Sequence, residues 1–113
     1  QIRLLLRLRK NRFHGKETDQ KKPILVVDHE PRELKELADA GVDLDLCGHT
    51  HDGQTFPGNF TIKLMWENPC GISQKDAMTC IVTSGAGVWG PAMRLGTDSE
   101  ICSIQVNFVS PGP

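Results

Sequence analysis

Apolar positions along this 113-residue chain fall into short blocks separated by glycine, proline and charge. Residues 24–28 (I-L-V-V-D) form a continuous, β-branched apolar run of strand length. Pro31 then stands where a first helical residue would, and Leu34, Leu37 and Ala38 recur at helical spacing, which predicts a helix over 32–40 with Gly41 as its C-terminal cap. Residues 44–47 (L-D-L-C) are the next apolar segment. A strand, helix and strand in this order form a crossover unit whose strands run parallel. Residues 78–83 (M-T-C-I-V-T) read as a buried strand, and 101–108 (I-C-S-I-Q-V-N-F) alternate and read as a final strand. Near the start, Ile2, Leu4, Leu6 and Leu8 alternate with arginines as in a half-buried strand; a helix fits too, since Arg3, Arg7 and Lys10 would share a face. Residues 10–22 read as a polar connector, 68–76 as a loop, and 60–66 as a strand or a short helix. The fold class is α/β, with a mixed sheet built on the 24–47 unit.

The chemistry concentrates where this unit ends. Leu44 to Gln54 reads L-D-L-C-G-H-T-H-D-G-Q, so an apolar strand runs into a glycine and then presents His49 and His51. Neutral imidazoles are transition-metal ligands. His29 closes the preceding strand, and parallel neighbours finish at the same edge of a sheet. Strands about 4.8 Å apart allow two imidazoles to share one ion. The three histidines are therefore candidate metal ligands, against the plainer reading of solvated loop residues.

The segments V-V-D-H-E-P, G-V-D-L-D-L-C-G-H-T-H-D-G-Q and S-G-A-G-V-W-G-P-A-M-R-L-G-T-D-S-E-I resemble the C-terminal half of a calcineurin-like metallophosphoesterase, in the branch with a G-H-T-H-G-G-Q signature. The likeness spans about residues 23–108. It implies part of an α/β sandwich around two divalent ions (Mn, Zn, Fe or Mg), with His29 and His49 on one ion and His51 on the other. It implies hydrolysis of a phosphomonoester or phosphodiester by a hydroxide bridging the metals. Cys47 and Asp52 are then candidates to orient the ligands, with simple solvation an alternative for Asp52. Arg94 is a candidate phosphate contact or a plain surface arginine.

The departures are large. The family's Asp-x-His motif, its bridging Gly-Asp aspartate and its Gly-Asn-His-Asp/Glu segment do not occur, and His14, in F-H-G-K, matches none of them. Cys47 and Asp52 stand where the family commonly has a small residue and a glycine. The chain therefore reads as half of an enzyme: a basic N-terminal strand and connector (1–22), half of a metallophosphoesterase domain (23–110) and a tail (111–113). The half-site itself is expected to be weakly active or inactive.

Composition narrows the picture further. The net charge of −1 is unevenly spread, since residues 1–22 hold eight Lys/Arg against two acids and the remainder five against twelve. The opening has no run of about 20 apolar residues and no signal-peptide h-region. Cys47, Cys70, Cys80 and Cys102 show no C-x-x-C spacing, and Cys47, Cys80 and Cys102 lie in apolar surroundings. Buried free thiols and a reducing, cytoplasmic setting are expected for the chain, with a membrane-associated parent compatible with the resemblance. Gly85, Gly87 and Gly90 formally spell a dinucleotide fingerprint, but Pro91 and Gly96 follow where a helix should open. They read instead as a loop folding over the histidine edge. Phe56, Phe60 and Trp66 are either packing residues or a substrate entrance.

The expected partner is a phosphoester substrate, and unpaired sheet edges invite self-association. Two other classes remain. One is a single-zinc module using Cys47, His49, His51 and Cys70. The other is a nucleic-acid or membrane binder acting through the basic N-terminus, which is not favoured.

Overall fold

The computed structural model describes residues 3–6 and 22–107. Its elements are β1 (Arg3–Leu6), β2 (Ile24–Val27), α1 (Leu34–Asp39), β3 (Leu44–Cys47), a single helical turn (His51–Gly53), α2 (Gly58–Met65), β4 (Gly71–Lys75) and β5 (Met78–Val82). The five strands form one sheet in the order β1-β2-β3-β5-β4. The first three junctions are parallel, and β4 pairs antiparallel with β5 at the outer edge.

The β2-α1-β3 unit forms as the pattern predicts, with boundaries set by backbone chemistry. The helix begins at Leu34 rather than 32, because Glu33 is left-handed (φ 57°) and cannot join it. It ends as predicted: Gly41 (φ 79°) donates to the Ala38 carbonyl at 3.0 Å, and Val42 donates to the Leu37 carbonyl at 3.2 Å. This is a Schellman cap, which satisfies two carbonyls that would otherwise be open. Leu34 and Leu37, three positions apart, are buried against the sheet. Each such leucine is worth about 1.5–3 kcal/mol of burial. The face they cover carries Ile24 and Val26 of β2, Cys47 of β3, and Met78, Cys80 and Val82 of β5. Alternation leaves Leu44, Leu46 and Ile81 half-buried on the opposite face.

Three expectations change. Residues 101–107 form no strand, and Ile101 is 88% exposed. Alternation supplies a face but no hydrogen-bonding neighbour, and no described strand pairs with this segment. Cys102 is accordingly an exposed free thiol rather than a buried one. The third change is at 68–76, read as a loop. It contains β4, an edge strand of low apolar content, held by the two-residue turn Asp76–Ala77 and a Gln74–Thr79 side-chain bond of 2.8 Å. Of the two options for 60–66, the helix is realised as α2. The basic opening contributes β1, and the connector expected at 10–22 lies outside the described residues but for Lys22. Cys47 and Cys80 are buried free thiols, as expected.

Candidate metal centre

The parallel ladder continues past the strand ends: Asp28 donates to the Leu46 carbonyl at 2.9 Å, and Gly48 donates to the His29 carbonyl at 3.2 Å. The tips of β2 and β3 are thus in register at the carboxyl edge. His49 Nδ1 lies 2.8 Å from His29 Nε2, and the two rings meet edge to face with centroids 4.7 Å apart. Ligands about 2.0–2.1 Å from one ion and at right angles to each other stand about 2.9 Å apart. The His29–His49 pair therefore stands at ligand spacing.

Backbone strain marks the same loop. His49 (φ 70°), His51 (φ 49°), Asp52 (φ 49°) and Gln54 (φ 53°) are all left-handed and none is glycine. Such residues persist only where their surroundings over-determine them, and they cluster at functional sites. Here three side chains do so. Thr50 Oγ1 donates to the Pro69 carbonyl at 2.6 Å. Gln54, buried, donates from Nε2 to the Trp89 carbonyl at 2.7 Å and accepts from the Trp89 N–H at 2.5 Å. Arg94 donates to the carbonyls of His51 (3.2 Å), Ser84 (2.6 Å), Gly85 (3.1 Å), Gly87 (2.6 Å) and Asp98 (3.2 Å). The guanidinium braces the glycine-rich 84–98 loop against the histidine loop.

His51 Nδ1 is buried without a hydrogen-bond partner. Burial first, then the nearby Arg94 charge and His49, hold the His51 ring below the ordinary imidazole range. That favours the neutral form a metal requires. His51 does not join the other two in one tight cluster. Among the described residues, the set of three or more ligating groups within 4.8 Å of one another is Asp45, Cys47 and Cys80. The facing nitrogens of His29 and His49, 2.8 Å apart, are a donor pair of the kind a divalent ion takes, and His51 stands outside that pair.

Other predicted positions fall as follows. Cys47 donates to Asp45 Oδ2 at 3.1 Å, and Asp52 gives its N–H to Thr50 Oγ1 at 3.4 Å. A cavity of about 420 Å³ opens beside His49 and His51, walled by Ile62, Trp66 and Trp89. Trp66 lines it, whereas Phe56 and Phe60 pack edge to face on each other, 5.7 Å apart. The Trp66 ring stands 5.9 Å from His49, with the Arg32 guanidinium 5.1 Å from its centroid. Glu30 Oε1 lies 3.8 Å from His49 Nε2. Sequence reasoning missed Glu30 and Gln54. Glu30 follows His29 directly, and Gln54 closes the histidine stretch, so adjacency was the available signal. The glycines at 85, 87 and 90 lead into no helix, which agrees with rejecting the dinucleotide reading.

Known proteins add a family to this geometry. An uncharacterized metallophosphoesterase of Helicobacter pylori is 37% identical over 93 residues, 80% of this chain and 25% of that protein. The chain is a relative of the metallophosphoesterases. An uncharacterized metallophosphoesterase of Aquifex aeolicus is 37% identical over 93 residues, covering 80% of the chain and 35% of its own length. A Danio rerio protein named transmembrane protein with metallophosphoesterase domain is 38% identical over 87 residues, covering 73% and 20%. The chain thus spans about a fifth to a third of the metallophosphoesterases it matches. No protein-family model and no solved structure matches it. Metallophosphoesterase relatives imply divalent metal use. Among the described residues, no helix is long and apolar enough to cross a membrane.

The single-zinc alternative is not favoured. Its four residues do not gather: the groups within ligating distance of Cys47 as a set of three are Asp45 and Cys80, not His49, His51 and Cys70. The strand alternation that puts Cys47 on the core face, beside Asp45, is the reason.

Proposed function

We propose that this chain supplies part of a two-metal phosphoesterase centre, with His29 and His49 on one divalent ion and His51 on the other. The observation that carries the reading is the 2.8 Å approach of His29 Nε2 and His49 Nδ1 at the carboxyl edge of two parallel strands. Divalent ions bound there would supply Lewis acidity toward phosphoryl oxygens and activation of water. The chain's own residues hold the ligands in place. His49 is fixed between His29, Trp66 and Glu30, and Arg94 anchors the His51 carbonyl. Trp66 and Trp89 wall the cavity where the organic part of a phosphomonoester or phosphodiester would lie. A phosphate contact from Arg94 would require it to release one of the carbonyls it now holds. Cys47 would act on the ligands through β3 rather than by touching them. A parent anchored in a membrane accords with the relatives' names.

Calorimetric titration of the chain with Mn²⁺ tests this reading. Binding lost in His49→Ala with an unchanged circular dichroism spectrum is the expected result. Binding unaffected by both His29→Ala and His49→Ala would refute it. Phosphodiester turnover with Mn²⁺ is expected to be weak, because the chain offers three imidazoles and none of the family's other ligand motifs.

A further inference from the structure

We propose that Asp45, Cys47 and Cys80 form a second, buried site for one thiophilic divalent ion such as Zn²⁺, separate from the histidine edge. The register places the three together. Asp45 and Cys47 alternate onto the core face of β3, and Cys80 of β5 is the strand partner of Asp45. Their ligating atoms all lie within 4.8 Å of one another, and all three residues are buried.

Asp45 is the anomaly that calls for an occupant. It sits in the middle of a central strand, 0% exposed, between Val26 of β2 and Cys80 of β5. Its Oδ2 takes bonds from two thiols, Cys47 at 3.1 Å and Cys80 at 3.6 Å. Thiols are weak donors. Its Oδ1 is buried with no hydrogen-bond partner at all. A buried carboxylate so poorly served is costly unless a cation or a proton neutralises it.

The donor set selects the cation. Thiolates favour zinc and other soft ions over Mg²⁺ or Mn²⁺. Tetrahedral zinc, with Zn–S of about 2.3 Å and Zn–O of about 2.0–2.2 Å, separates sulfur from oxygen by about 3.5 Å and sulfur from sulfur by about 3.8 Å. The observed sulfur–oxygen distances of 3.1 and 3.6 Å lie around that value. Two thiolates and one carboxylate oxygen supply three donors, and the cation would neutralise the carboxylate whose Oδ1 has no hydrogen-bond partner. Asn68, also buried, places Nδ2 3.5 Å from the Cys80 sulfur, as an outer hydrogen-bond partner would stand.

Cobalt is the discriminating probe, because sulfur-to-cobalt charge transfer appears only with thiolate ligands and never with imidazole alone. One equivalent of Co²⁺ added to the full chain under a non-chelating reductant should give that near-ultraviolet band. The band should vanish in Cys80→Ser and in Asp45→Asn, and persist in His29→Ala and His49→Ala. A band lost in the histidine variants but kept in Cys80→Ser overturns the proposal and leaves the histidine reading standing. Since the core variants can fail to fold, zinc-edge X-ray absorption on the unaltered chain is the second measurement. Two sulfur scatterers at about 2.3 Å are expected. A zinc-loaded chain with nitrogen and oxygen neighbours alone, or no zinc retained beyond the histidine sites, leaves a proton as the occupant and ends the proposal.

Discussion

Gly53→Ala tests the packing that holds the histidine loop. Gly53 is left-handed at φ 72°, and a Cβ built on it would fall on the backbone carbonyl carbon of Gly58 and the backbone nitrogen of Asn59. Gly58 is tight as well, though less so, since its own Cβ would lie 2.8 Å from the Gly53 carbonyl oxygen. The two glycines thus let the turn at His51–Gly53 lie directly on the first residues of α2. The left-handed conformation costs an alanine about 1–2 kcal/mol. Overpacking against backbone, which cannot rotate away, adds about 1–3 kcal/mol. The sum is about 2–5 kcal/mol, against about 6–17 kcal/mol expected for a domain of this length. At roughly 4–8 °C per kcal/mol, the melting temperature should fall by about 10 °C or more. Urea unfolding gives the stability change, and amide exchange at 49–60 should show the loop opening. Asp52→Gly is the control: it sits at φ 49° beside Gly53, so glycine there should change stability by less than about 1 kcal/mol, upward if at all. Gly53→Ala with an unchanged urea midpoint and unchanged exchange would refute the argument.

Four further outcomes are expected. Arg94→Lys should raise amide exchange across 84–98 while leaving β2, β3 and β5 protected, because an ammonium cannot serve five carbonyls at once; unchanged exchange there contradicts the bracing role. Glu100 is held below the ordinary carboxylate range by hydrogen bonds from Thr83 and then from the Ser84 N–H. Its contribution is thus present above the usual Glu pKa and lost as pH falls through the lower folded value; the stability gap between the native chain and Glu100→Gln should close over that acid window and not widen. Ile72, 74% exposed on the edge strand β4, should promote self-association, so Ile72→Lys should shift any oligomer toward monomer on size exclusion. Iodoacetamide should label Cys102 well before Cys47 and Cys80, read by peptide mass spectrometry, and equal rates would contradict their burial.

How much of this was legible depended on whether the signal was local. β2, β3 and β5 were readable because each carries a short, largely apolar block, with burial alternating along β3 and β5 as the strand period requires. The C-terminal cap of α1 was readable from Gly41 alone. Its start was not, because the left-handed turn at Glu33 arises from how 29–33 leaves the sheet and has no residue signature. β4 was hidden because an edge strand draws on the backbone ladder more than on side chains, and G-I-S-Q-K offers little apolar content. Residues 101–107 failed the other way, with a clean alternation and no neighbour to pair with. At the histidine edge, the meeting of His29 and His49 followed from crossover topology. The positions of Trp66, Glu30 and Arg94 depended on loop paths that no periodicity encodes. Asp45 was passed over within the apolar segment L-D-L-C, and only the register with Cys80 brings its carboxylate beside the thiols.

The short approach of His29 to His49 has a consequence for how the edge is loaded. Two neutral rings at 2.8 Å share a single hydrogen, so one nitrogen donates while its neighbour accepts. A cation that takes both facing lone pairs obliges the donor ring to re-seat that hydrogen on its far nitrogen. On His49 the far nitrogen lies 3.8 Å from Glu30 Oε1, a carboxylate near it but beyond hydrogen-bond distance. Were an ion to bind there, the pair would keep its net proton count while one ring changed tautomer by way of water.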